Sequence, residues 1–92
     1  MTEVIKRDKR RESFSAEKVR RSIESAAREA NVAEERAKEI VEKVSRKVTA
    51  MAEQGSEIET RAIREAILNE LDTLEPRVSE AWRKFDETKS TQ

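Results

Sequence analysis

The chain has 92 residues, with 20 Lys and Arg against 20 Asp and Glu, and neither His nor Cys. That length fits one domain with a modest core and argues against a deep, enclosed active site. Without imidazole or thiol, zinc sites, disulfides, thiol nucleophiles and a histidine general base are excluded together, so carboxylates, lysines and hydroxyls are the only groups left for chemistry.

The first fourteen residues lack a helical period. Val4, Ile5 and Phe14 flank a charged centre from Lys6 to Glu12, which reads as a two-stranded hairpin turning around Asp8, Lys9 and Arg10. An isolated hairpin is barely stable, so it must dock on something larger. Ser15 then caps a first helix whose apolar face is Val19, Ile23, Ala26, Ala27 and Ala30. Asn31 reads both as its stop and as the cap of the next helix, which carries Ala37, Ile40, Val41, Val44, Val48 and Met51 and ends near Gly55. The segment Ser56 to Glu59 holds the β-branched Ile58, a candidate third strand beside the hairpin. Thr60 is positioned to cap a third helix bearing Ile63, Ala66, Ile67 and Leu71 and closed by Leu74. Pro76 suits the first turn of a fourth, whose Val78, Ala81, Trp82 and Phe85 read as core.

The expected fold is therefore mainly α: a four-helix bundle capped by a small N-terminal β-hairpin or three-stranded sheet. As one domain over 1–92, it divides into a hairpin cap at 3–14, a bundle at 15–88 and a polar tail at 89–92. Met1 to Arg7 has no apolar stretch behind its charges, and no run is long enough to cross a bilayer, so a cytoplasmic protein without membrane contact is expected.

Charge is uneven. Residues 1–21 hold eight Lys and Arg against four acids, a local excess that the rest of the chain cancels. A neutral protein with one basic end suggests a local anion site. With the hairpin on the bundle, Lys6 and Arg7 come near the start of the first helix, where Lys18 sits in the first turn. Helix N–H groups and several cations together suit a phosphate, and Glu12 could accept a hydrogen bond from an exocyclic amine. Two other readings share these residues: a solvated charged face, or a small nucleic-acid-binding surface on the basic hairpin and Arg20-Arg21, which zero net charge disfavours.

Val4-Ile5-Lys6-Arg7-Asp8-Lys9, leading through Glu12 and Phe14 into a helix that bears Lys18, closely resembles the opening of the ATP-cone family, Val-x-Lys-Arg-Asp-Gly. Val78-Ser79-Glu80-Ala81-Trp82-Arg83-Lys84-Phe85 is similar to the family's closing helix, and Thr60-Arg61-Ala62-Ile63 to the start of its third. The resemblance implies a regulatory module that binds ATP or dATP, with or without Mg2+, and is not an enzyme. It implies that Lys6, Arg7 and Lys18 contact phosphates, that Glu12 faces the adenine, that Thr60 contacts phosphate or base from the start of the third helix, and that Arg64 contacts the nucleotide one turn later. With no zinc ribbon and no reductase body in these residues, a free-standing cone is expected. It would act through nucleotide-dependent oligomerisation or by docking on a partner such as a ribonucleotide reductase or a transcription factor. The one departure is Lys9, where the family has glycine in the turn. A left-handed backbone there costs a side-chain-bearing residue about 1–2 kcal/mol, so a cone serving only as a structural adaptor is the alternative.

Overall fold

The computed structural model describes residues 2–90, and for 86–90 the helical backbone only. Two three-residue strands, β1 (Glu3–Ile5) and β2 (Arg11–Ser13), form an antiparallel pair in the register Glu3 to Ser13, Val4 to Glu12 and Ile5 to Arg11. The amide of Lys9 donates to the Lys6 carbonyl (2.9 Å) and that of Lys6 to the Arg10 carbonyl (2.8 Å), closing the turn. Asp8 braces it: one carboxylate oxygen accepts from the Arg10 amide at 3.1 Å, the other from Arg10 Nε at 2.6 Å. Lys9 lies at φ 74°, in the left-handed conformation that glycine takes without cost.

Helix α1 (Ala16–Glu29) starts where Ser15 Oγ accepts the Lys18 amide at 3.2 Å. It ends at Asn31, whose φ of 58° returns the Val32 amide to the Ala27 carbonyl (3.1 Å) and its own to the Arg28 carbonyl (3.0 Å). Asn31 is thus the stop, as the sequence suggests, but not the next cap. An N-cap needs extended backbone, which a left-handed residue cannot supply, and α2 (Glu34–Glu53) begins after Ala33 with no side-chain cap. Glu34 and Glu35 in its first turn offset the missing cap through the helix dipole. At the other end of α2, Thr2 Oγ1 donates to the Ala52 carbonyl at 2.8 Å and ties the chain start to the bundle.

The expected third strand is present. β3 (Glu57–Glu59) runs parallel to β1, pairing Val4 with Ile58, and gives the sheet order β2-β1-β3. It passes without a loop into α3 (Thr60–Leu74), so Glu59, not Thr60, stands at the cap position, and no side chain caps the helix. The Thr60 hydroxyl instead donates to the Ile5 carbonyl at 3.3 Å, because direct strand-to-helix continuity points it back at β1. Glu75, extended at φ −159°, precedes Pro76, which opens α4 (Pro76–Ser90). The polar tail expected from residue 89 is helical through Ser90, since polar composition without Gly or Pro does not end a helix; Thr91 and Gln92 lie outside the described residues.

Each helix packs on its neighbours in sequence, and α4 closes the ring on α1. The core comprises Val19, Ile23, Ala26 and Ala27 of α1, Ile40, Val41, Val44 and Val48 of α2, Ile67 and Leu71 of α3, and Val78 and Trp82 of α4. Phe85, read as core, is 40% exposed. Periodicity fixes which face of a helix is apolar, not how far along it that face is covered, and Trp82 is the last buried residue of α4 among those described. No helix among the described residues is long and apolar enough to cross a membrane.

Candidate functional site

Alternation along the strands sets the site. Val4 is buried, so its cross-strand neighbours Glu12 and Ile58 lie on the same, inward face of the sheet. Glu12 Oε1 lies 3.5 Å from Lys6 Nζ, just beyond β1, and 3.9 Å from Lys18 Nζ in the first turn of α1. Three elements therefore meet at one carboxylate. The three side chains are 40–68% exposed, and ion pairs of this kind are worth only about 0–1 kcal/mol, so an arriving anion can replace Glu12 as the lysines' partner at small cost.

Behind this triad lies a groove of about 390 Å3 between the hairpin, α1, α3 and α4. Lys6, Arg7, Glu12, Lys18, Thr60 and Arg64 all line it. Lys18 and Ser15 bring the start of α1 to its wall, where the Ala16 and Glu17 amides have no intrahelical acceptor. Arg7 is exposed and forms no hydrogen bond or ion pair among the described residues, which leaves its guanidinium available to a ligand. Thr60 is half-buried, with its hydroxyl engaged by β1, and Arg64 stands one turn further along α3.

The inner end is apolar, formed by Val4, Val19, Ile63, Ile67 and Trp82. Trp82 Nε1 donates to Ser22 Oγ at 3.2 Å, and that hydroxyl donates onward to the Val19 carbonyl at 2.8 Å, so the buried indole nitrogen is satisfied. A cationic mouth with an apolar, aromatic interior suits a ligand that carries phosphates at one end and a flat heterocycle at the other.

The family model of the ATP cone domain matches residues 2–87, nearly the whole chain. The chain belongs to the ATP-cone family. ATP cones are nucleotide-binding regulatory domains. A search of curated proteins finds no match. In this cone Lys9 holds the left-handed turn without glycine, and the turn remains closed by its two backbone hydrogen bonds.

Groove residues that the sequence did not assign to a site include Arg10, Phe85 and Ser22. Arg10 was hidden among five cations between Lys6 and Arg11, and Ser22 had no signal, because its role depends on which residue of α4 packs opposite. On the outer face of the sheet, Arg11 bonds Glu57 across β1, and that hydrogen bond raises its pKa further above the ordinary arginine value. This pair fastens β2 to β3 and stands outside the groove.

Proposed function

We propose that the groove binds ATP or dATP as a regulatory ligand. Lys6, Arg7 and Lys18 hold the phosphates beside the start of α1, and Glu12 turns to accept a hydrogen bond from the adenine amine. Thr60 and Arg64 form the α3 side of the site, and Mg2+ brought by the triphosphate would screen its phosphate charge. The single observation that carries this reading is the convergence of Lys6, Glu12 and Lys18 from three different elements at the mouth of one groove.

We infer binding without hydrolysis. The chain has no histidine base and no Gly-rich loop ending in Lys-Ser or Lys-Thr to draw the phosphates and a metal into line. The nucleotide acts instead by changing how the cone oligomerises or docks on a partner, since a ligand bridging hairpin and helices fixes their relative position. Tripolyphosphate, adenosine and ATP compared by thermal shift test the assignment. ATP should stabilise most and tripolyphosphate partly, and Lys18→Glu should remove both effects. Equal shifts by adenosine and ATP would place the affinity elsewhere.

A further inference from the structure

A second groove, of about 560 Å3, opens between the hairpin turn and the first turns of α3. It lies against the other face of β1. Val4 lines the first groove and Ile5, its alternating neighbour, lines the second, together with the half-buried Leu68. Lys6, Arg7, Thr60 and Arg64 line both and form a common wall. Lys9 and Arg61 belong to the second alone, and Lys18 and Glu12 to the first alone.

The lining of the second groove is strongly biased in charge. Lys6, Arg7, Lys9, Arg61 and Arg64 face only two acids, Glu59 and Glu65, and Arg61 Nε already sits 3.3 Å from Glu65 Oε1. Lys9 and Arg7 form no ion pair among the described residues. The apolar residues Ile5 and Leu68 share the lining with these charges. This combination suits a chain whose carboxylates are spaced by apolar side chains, whereas Glu59 and Glu65 would repel the unbroken phosphate line of a nucleic acid.

We propose that this second groove docks an acidic segment of a partner protein, and that nucleotide in the first groove weakens the docking by neutralising the shared Lys6 and Arg7. The second half rests on the nucleotide reading above. The lining carries three more cations than acids, Lys6 being also within 3.5 Å of Glu12 outside the groove, and phosphates on Lys6 and Arg7 reduce that excess. Coupling of this kind is reciprocal, so the acidic partner lowers nucleotide affinity by the same factor. The acidic partner therefore docks on the empty cone and is released as nucleotide rises.

The test is fluorescence anisotropy with a short labelled peptide that alternates Glu and Leu, titrated with the whole chain. Lys9→Glu and Arg61→Glu should each weaken the peptide about tenfold, and either variant suffices if circular dichroism shows the other unfolded. Arg46→Glu, the same change of charge on exposed α2, should leave affinity within about twofold. Saturating ATP should weaken peptide binding to the parent about tenfold, and leave binding to Lys18→Glu unchanged. Absence of peptide binding, equal weakening by Arg46→Glu, or tighter binding of oligothymidylate at the same residues would overturn the docking groove. A peptide that responds to Lys9 and Arg61 but not to ATP would overturn the coupling and support the docking groove alone; absence of a thermal shift with ATP in the same protein would overturn the nucleotide reading as well.

Discussion

Trp82 Nε1 and Ser22 Oγ, 3.2 Å apart, join α4 to α1 at the inner end of the groove, so a buried residue of the bundle core also lines the proposed binding site. Trp82 is 5% exposed. Truncating a buried Trp costs about 3–5 kcal/mol, a large share of a small domain's stability. Trp82→Ala should unfold or nearly unfold the protein in a urea titration. Trp82→Phe keeps most of the volume and loses one hydrogen bond, for which about 1 kcal/mol beyond the change in packing is expected. A Trp82→Ala protein that melts with the parent would mean that α4 does not close the ring.

Lys9 at φ 74° pays a left-handed cost of about 1–2 kcal/mol that glycine would not. The freer unfolded chain of a glycine variant offsets part of the gain. Lys9→Gly should therefore shift stability by about 1 kcal/mol or less, with the helical circular dichroism intact. A larger loss would show that the lysine side chain makes a contact the turn depends on.

Asp8 has a pKa lowered from 3.8, first by the Arg10 backbone N–H and then, against some desolvation, by the Arg10 guanidinium. A depressed carboxylate contributes stability that is complete above its unfolded value and disappears as pH falls through the lower folded value. Asp8→Ala should thus be less stable than the parent at neutral pH, and the two melting curves should converge well below pH 3.8. A difference that persists in strong acid would assign the effect of Asp8 to something other than its charge.

Glu12 lies within ion-pair distance of Lys6 and Lys18, so bound phosphates would compete with it. Glu12→Gln should raise affinity for tripolyphosphate by about two- to fivefold, the worth of an exposed ion pair, while lowering the preference for ATP over inosine triphosphate, which lacks the exocyclic amine. Competition titrations with the two nucleotides read both effects. Unchanged discrimination would remove Glu12 from the base end of the site.

The helices and the third strand were legible because their signals are local: Val19 to Ala27 and Ile40 to Val48 repeat at helical spacing, and Ile58 is β-branched between polar residues. The candidate site was legible as a set of residue types in one order, and Lys6, Glu12 and Lys18 do meet. What escaped depends on contacts between distant elements. Thr60 donates to Ile5 rather than capping its own helix, Phe85 is 40% exposed although it continues the apolar spacing of α4, and the second groove forms between the hairpin turn and the start of α3. Asn31 was half-read for a different reason: stop and start signals use the same residue types, and only its φ of 58° separates them.

Calorimetric titration of the whole chain with ATP, with and without magnesium, decides whether the groove takes a nucleotide. Binding there predicts a saturable heat that Lys18→Glu abolishes. It also predicts a melting temperature raised by several degrees at about a hundred times the dissociation constant, where ligand binding adds about 2.7 kcal/mol. No heat and no thermal shift with millimolar ATP or dATP would contradict it, leaving a protein with the fold of an ATP cone and without its ligand.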